Sequence, residues 1–279
     1  MNRFLLIDGS NLLFQMFYGM PNAIIGKCGE DIRGTFGFIG AILRMIRLTK
    51  ATHIAVFFDG EHSNSRNELS PEYKANRPDY SKMAYADTPF SQLPYIYSAL
   101  DEMGIVHSET TDCEADDWLA GYASKADVNN FIIISSGDSD LYQLICANVQ
   151  ILRYRGEKSI ICDADYVFDK LGIFPDRYAD FKALTGDSSD NIRGCDKVGP
   201  KTAASLIAQF CSIEEMINNA ENISKPAVRK AVYECKDRIL LNRKLIKLDY
   251  KGELPFDISE MIYTEQYTRT RDVLDVIGI

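Results

Sequence analysis

An α/β fold with a mostly parallel central sheet flanked by helices is the architecture this sequence predicts, and three observations predict it. Apolar runs at residues 4–7, 54–58, 131–135 and 149–154 are rich in β-branched and aromatic side chains and show no polar alternation. Strands of that kind are buried on both faces, as parallel sheets require. Between the runs lie helical patterns at 36–49, 92–103 and 115–126, long enough to serve as crossovers. Finally, a carboxylate follows three of the four runs: Asp8, Asp59 and, past a Ser-Gly turn, Asp138. The carboxyl ends of parallel strands are where such sheets place their ligands. Any one of these aspartates reads as a helix cap or turn residue, but three at one sheet edge call for a further reason.

Residues 60–90 interrupt the alternation with a polar, proline-containing stretch that carries Arg66, Lys74, Arg77 and Lys82 among Tyr73, Tyr80 and Tyr85. It is far longer than an ordinary connection, which fits a functional loop as well as a solvated one. Interleaved basic and aromatic side chains suit a single-stranded nucleic acid, through phosphate contacts and base stacking. Beyond residue 175 the pattern turns helical, at 175–184, 201–210, 213–218 and a long run over 225–248. The last thirty residues carry no clear pattern. The expected organisation is an acid-bearing α/β part over 1–175, with its insertion at 60–90, and a helical part over 176–279.

Composition narrows the class. With 279 residues, 46% of them hydrophobic and 25% charged, the chain can bury a large core. No stretch reads as a transmembrane span. Asp8 and Asn11 break the apolar start at once, so it reads as a buried strand rather than an export signal. A cytoplasmic protein with no membrane partner, acting as a monomer, is expected. The seven cysteines (Cys28, Cys113, Cys146, Cys162, Cys195, Cys211 and Cys235) are scattered and contain no C-x-x-C pair. Neither a zinc site nor a disulfide framework is expected, and most should be small buried apolar residues. The formal net charge of −9 at first argues against a nucleic-acid partner. Nine acids, however, look like one metal site: Asp8, Asp59, Glu114, Asp116, Asp117, Asp138, Asp140, Asp187 and Asp190. Without them the scaffold is formally neutral, and basic patches can still face DNA.

Those acids come in groups. Glu114-Ala-Asp116-Asp117 opens a helix, where capping and the helix dipole favour acids, yet three in four residues exceed what a cap needs. Asp138-Ser-Asp140 follows the third apolar run, and Asp187 and Asp190 are spaced to share a tight turn or a helical face. Their mutual repulsion is destabilising unless a cation sits among them. Oxygen-only ligands select Mg²⁺ or Mn²⁺. There are more carboxylates than one ion can use, so two ions, suited to phosphodiester hydrolysis, are expected. No Ser-His-Asp or Cys-His arrangement competes, since His53, His62 and His107 fall in no catalytic motif. After the last acid pair, Gly194-Cys-Asp-Lys-Val198-Gly199-Pro200-Lys201-Thr202 reads as a glycine-bounded hairpin between helices. Open backbone N–H groups at such a helix start cradle a phosphate, and Lys201 adds charge. The plainer reading is an ordinary helix–turn–helix connection.

Taken in order, these motifs resemble one family, the 5′ nucleases that include the 5′→3′ exonuclease domain of bacterial DNA polymerase I and the phage flap endonucleases. The matching segments are Leu6-Ile-Asp8-Gly-Ser-Asn11, Val56-Phe-Phe-Asp59, Arg66-Asn-Glu-Leu, Glu72-Tyr-Lys74-Ala-Asn-Arg77-Pro, Glu114-Ala-Asp-Asp117, Gly137-Asp-Ser-Asp140, Gly186-Asp-Ser-Ser-Asp-Asn-Ile192 and Gly199-Pro-Lys-Thr-Ala203. The resemblance implies a first metal site at Asp8, Asp59, Glu114 and Asp116, with Asp117 close by, and a second at Asp138, Asp140, Asp187 and Asp190. It implies a helical arch over the site in which Arg66, Lys74 and Arg77 meet the scissile phosphate or the threaded 5′ strand, with Tyr73 beside them. The hairpin residues Gly194, Val198, Gly199, Lys201 and Thr202 would form a helix–hairpin–helix gripping duplex backbone, often with a K⁺ ion. The implied substrate is DNA with a 5′ flap, a 5′ end or a nick, including RNA–DNA primers. Ser65, Ser139, Arg193 and Cys195 depart from the family pattern, and none of them is a metal ligand. Two other classes compete: a metal-dependent RNase or phosphatase on a related sheet, and a non-catalytic binder of DNA structures.

Overall fold

The computed structural model describes residues 1–60 and 65–279. Its main sheet contains β1 (Asn2–Asp8), β2 (His53–Phe58), β3 (Val106–Glu109), β4 (Asn130–Ser135), β5 (Val149–Arg153) and β6 (Ile160–Cys162), in the order β3-β2-β1-β4-β5-β6. The first five strands are parallel, and β6 runs antiparallel to β5. The strands β3 and β6 leave no apolar run in the sequence. The first is a half-exposed edge strand reading Val-His-Ser-Glu, and the second is three residues long with its two isoleucines exposed. A two-stranded ribbon, β7 (Gly186–Asp187) and β8 (Ile192–Arg193), lies apart.

The helices are α1 (Gly9–Gly19), α2 (Arg33–Thr49), α3 (Ser65–Leu69), α4 (Leu93–Glu102), α5 (Ala115–Ala123), α6 (Ala164–Leu171), α7 (Tyr178–Thr185), α8 (Pro200–Gln209), α9 (Ile213–Asn218), α10 (Pro226–Glu234), α11 (Lys236–Ile246) and α12 (Thr270–Ile277). Successive residues of a strand face opposite ways, so the sheet sorts its own core. Phe4 and Leu6 join Phe57, Ile132 and Ile134 under Trp118, Leu119 and Tyr122 of α5. Leu5 and Ile7 join Val56, Phe58 and Ile133 under residues of α1, α2 and α4. Each such aliphatic, buried outright, stabilises the fold by about 1.5–3 kcal/mol. Within the 60–90 insertion, the described residues form α3 and three 3₁₀ turns, at Tyr80–Lys82, Tyr85–Asp87 and Pro89–Gln92. Residues 61–64, and with them His62, lie outside the described residues.

The C-terminal part refines the expectation in three ways. The long helical run over 225–248 is two helices, α10 and α11, broken at Cys235 (φ −106°, ψ 15°). The unpatterned tail returns to the first part of the chain: the Tyr263 N–H donates to the Thr52 carbonyl at 2.9 Å, and Val273 and Leu274 of α12 enter the core beneath α2 and α4. Cys195 and Cys235, 40 residues apart with Cα atoms 6.0 Å from each other, form a disulfide. This corrects the expectation of unpaired cysteines, because a single long-range pair leaves no spacing motif to read. Cys113 and Cys162 are buried thiols, while Cys28, Cys146 and Cys211 are exposed. Among the described residues no helix is long and apolar enough to cross a membrane.

Candidate active site

Chain connections leave β1 and β4, which are neighbours, in opposite directions, so a crevice opens beyond their carboxyl ends. A cavity of about 440 Å³ occupies it, with Asp8, Asp59, Glu114, Asp116 and Asp138 in its wall beside Lys74 and Arg77. Asp8 ends β1 and caps α1: its Oδ1 accepts the Asn11 N–H at 2.9 Å and its Oδ2 the Ser136 hydroxyl at 2.8 Å. Asp59 follows β2, and its Oδ1 accepts the Ala115 N–H at 2.9 Å, at the start of α5. Glu114 is the N-cap of that helix and Asp116 stands in its first turn. Asp138 closes the turn after β4, its Oδ1 accepting the Asp140 N–H at 2.8 Å. Several of these acids therefore do serve as caps or turn residues, and the caps bring them to one cavity.

Their electrostatics are those of charges held together against repulsion. Burial, with the charge of Asp59, pushes the Asp8 carboxyl up to about 7. Burial and the charges of Asp138, Asp8 and Asp59 hold Asp116 well above the usual carboxylate range, and burial with the Asp190 charge raises Asp138. Five carboxylates facing two bases fit a divalent cation, and the donors are hard oxygens. Among the described residues no three stand close enough to make a complete ligand shell.

The 60–90 insertion meets this cavity through its base. Lys74 Nζ pairs with Glu114 at 2.7 Å, and Arg77 with Asp190 at 3.1 Å. Burial tends to raise the Glu114 carboxyl, but Lys74 and Arg66 outweigh it and hold the group below its usual range. Lys74 has φ +57° and donates its N–H to the Asp190 carbonyl at 3.0 Å. Facing it, Asn191 (φ +58°) donates its side-chain amide to the Glu72 carbonyl at 2.8 Å. Two non-glycine residues in the left-handed region thus mark the join between the insertion and the 187–191 turn, a concentration of backbone strain typical of working sites.

Arg66 and Tyr73, expected to meet the substrate, are buried and line no part of the acid cavity. Arg66 is 7% exposed, and its guanidinium is spent on Asp117 (2.7 Å to each oxygen) and on the Leu245 carbonyl (2.8 Å). Tyr73 is 5% exposed, its single hydroxyl proton shared between Glu114 (3.1 Å) and Asp190 (3.3 Å). Asp117, clamped by Arg66 and closing the capping box on the Glu114 N–H, is likewise turned from the cavity. In place of open substrate contacts, these residues fix the carboxylates that do face it.

Asp140, Asp187 and Asp190 lie behind Asp138, and a residue missed in the sequence organises two of them. Lys182 of α7 pairs with Asp187 and, at 3.3 Å, with Asp140. Burial works against the charge of Lys182, but the two aspartates raise its pKa. Asp140, by contrast, is pushed up to about 7 by burial and by Asp138. The only sequence signal for Lys182 was a lone base in the middle of a largely buried helix, Tyr178–Thr185, next to an acid cluster. In the hairpin, Gly194 packs its backbone on Thr185, where an added Cβ would lie 2.3 Å from the carbonyl. Val198 is buried, and its N–H is taken by the Cys195 carbonyl at 3.1 Å. Of the five hairpin residues expected to meet a ligand, Gly199, the N-cap of α8, and Lys201 are exposed, Thr202 and Gly194 are half-buried, and Val198 is buried.

The raised acids give the metal-free protein a defined pH dependence. Asp8 and Asp140 hold their protons up to about 7, whereas in the unfolded chain carboxyls let go near 3.9. The folded state therefore binds more protons across that window, and stability falls as pH rises from about 4 to about 7. Glu114 and Asp187, whose pKa values are lowered, act in the opposite sense but only below the usual carboxylate range. In EDTA the melting temperature is expected to be higher at about pH 5 than at about pH 8. With Mg²⁺ the order should reverse, since the ion holds the charged forms. A melting temperature that rises with pH in EDTA would contradict these assignments.

Comparison with known proteins places the chain. The 5′-3′ exonuclease N-terminal resolvase-like domain matches residues 3–172, and the 5′-3′ exonuclease C-terminal SAM fold matches residues 173–269. The chain belongs to the 5′-3′ exonuclease family. DNA polymerase I of Lactococcus lactis subsp. cremoris is 30% identical over 95% of this chain, and the thermostable DNA polymerase I of Thermus aquaticus 31% identical over 92%. The chain spans 31% and 29% of the lengths of those two relatives. Among solved structures, the T5 D15 protein co-crystallised with metal ions superposes with a TM-score of 0.72 at 20% identity, covering 88% of this chain and 90% of that one. The catalytic core of Rad2 in complex with DNA substrate gives 0.62 at 14% identity, covering 99% and 88%. Those two likenesses show the shared fold.

Proposed function

We propose that the chain is a structure-specific 5′ nuclease, a flap endonuclease and 5′→3′ exonuclease that hydrolyses DNA phosphodiesters in primer and flap removal and in repair. One observation carries the reading: Asp8, Asp59, Glu114, Asp116 and Asp138 share a cavity with Lys74 and Arg77 at the carboxyl edge of the sheet. Two divalent ions held there, Mg²⁺ or Mn²⁺, would activate a water and neutralise the scissile phosphate and the leaving oxygen. Asp8, Asp59, Glu114 and Asp116 would surround the first ion, directly or through its waters, and Asp138 with Asp140, Asp187 and Asp190 the second. Lys74 and Arg77 would orient the phosphate, while Phe14 and Phe90, also in the cavity wall, are aromatic surfaces on which a base could stack. Residues 1–175 carry the chemistry together with Asp187 and Asp190 of the β7–β8 ribbon. Residues 176–279 carry the duplex grip, through the Gly199 turn, Lys201 and Thr202, with a K⁺ ion at the hairpin. The protein acts as a monomer on phosphate backbone, reading structure rather than sequence.

The test is cleavage of a labelled 5′-flap duplex and its matched single strand, in Mg²⁺ and in EDTA. Cutting at the junction only with the metal is the expected result. Binding of the flap without cutting in either Mg²⁺ or Mn²⁺ would leave a DNA-structure binder instead, and cutting of a hairpin RNA in preference to the flap would favour an RNase.

A further inference from the structure

A second cavity, of about 620 Å³, lies against the acid cavity, and the two share Asn11, Phe14 and Asp138 as a common wall. Its far side has the opposite chemistry, with Arg153 and Arg155 above the small residues Gly137, Ser139 and Ser189. The placement follows from the sheet. Because β5 runs parallel to β4, its last residue Arg153 and, two residues on, Arg155 arrive at the same edge as Asp138. Arg153 is held in place, its Nη1 donating at 2.8 Å to the hydroxyl of the fully buried Tyr142. Arg155 is exposed. Among the described residues neither guanidinium has a carboxylate partner, and Glu157 close by in sequence pairs with Arg44 at 3.4 Å instead. Two arginines without a carboxylate partner next to a cluster of acids are poorly explained as scaffold, because nearby carboxylates could have paired with them. Their planar donor forks match a phosphate.

We infer that this cleft is a phosphate subsite, which seats the backbone of the strand that passes over Phe14 from the acid cavity. The glycine and the two serines leave room for a sugar–phosphate chain to approach, and the two guanidiniums supply charge in a cleft adjoining the one that holds Lys74 and Arg77. The cleft thereby fixes the strand on both sides of the scissile linkage, which is the positioning a two-ion site demands. The inference rests on the nuclease reading for the identity of the ligand, though not for its test. An internal diester and a terminal 5′-phosphate offer the same chemistry, so both are probed.

The experiment measures equilibrium binding of a 5′-flap duplex in EDTA, where no cutting occurs, for the wild-type protein and Arg155→Ala. The duplex series carries a neutral methylphosphonate at one linkage at a time, and a further pair of duplexes differs only in a 5′-phosphate or 5′-hydroxyl end. Arg155→Ala is expected to bind about tenfold more weakly, with a salt slope lower by about one. One neutral position, internal or terminal, should weaken the wild type by a similar factor and leave the variant unaffected. That silent position identifies the phosphate seated. Unchanged binding by Arg155→Ala would overturn the subsite, as would a variant as sensitive as the wild type at every position. In Mg²⁺ the variant's loss should fall more on KM than on kcat. Failure of the wild type to cut any DNA would sink the nuclease reading while leaving the binding result to decide the cleft.

Discussion

Asp138→Asn is expected to reduce flap cleavage by about a thousandfold or more, equivalent to about 4 kcal/mol of transition-state stabilisation, while leaving DNA binding in EDTA intact. The choice of residue follows from its position. Asp138 stands in the wall of both cavities and between the two acid groups, so its charge would bear on either of the two proposed ions. Asparagine keeps the oxygen that accepts the Asp140 N–H, so the turn after β4 survives and only the charge is lost. Two further readouts separate this from a folding defect. Burial and the charge of Asp190 already raise the Asp138 carboxyl, so removing the charge should raise the metal-free melting temperature near neutral pH. The stabilisation conferred by added Mg²⁺ should shrink at the same time. Binding in EDTA should hold or strengthen, since a negative charge has left the path of the phosphates. Wild-type cleavage by this variant would mean that the acids hold no catalytic metal.

Much of this site was legible because its acids sit at places where sequence and structure share a rule. Asp8, Asp59 and Asp138 follow apolar strands, and a parallel sheet brings strand ends to one edge. Glu114 and Asp116 open a helix whose start is pinned by Asp59. What escaped was whatever depends on distant contacts. Arg66 and Tyr73 look like arch residues reaching for a strand, and only the fold shows them turned inward onto Asp117, Glu114 and Asp190. Lys182 reads as one base in an ordinary helix until Asp140 and Asp187 close on it. Arg153 ends a buried strand, Arg155 follows two residues on, and neither carries a motif, yet β5 delivers them beside Asp138. The tail over 249–279 gave no signal because its short elements bury only one side against a layer formed some two hundred residues earlier.

Arg66→Met should be the most destabilising single change in the insertion, costing about 3–5 kcal/mol, because it strands a buried carboxylate. One guanidinium joins three elements: it sits on α3, clamps Asp117 in the first turn of α5 with two bonds of 2.7 Å, and donates to the Leu245 carbonyl of α11 at 2.8 Å. Its own side chain is 8% exposed and that of Asp117 11%, so water cannot replace the lost partner cheaply. Lysine would keep the charge but not the fork, so Arg66→Lys should fall between the wild type and methionine. The informative comparison is the double variant Arg66→Met/Asp117→Leu. If the cost is the orphaned charge rather than lost packing, the double variant should recover most of the stability, read as the urea midpoint at constant m-value. It should not recover cleavage to the same degree, because Glu114 also loses the Arg66 charge, which helps hold its carboxyl ionised. A single Arg66→Met as stable as the wild type would show that the clamp contributes nothing net, and that Glu114 keeps its place without Arg66.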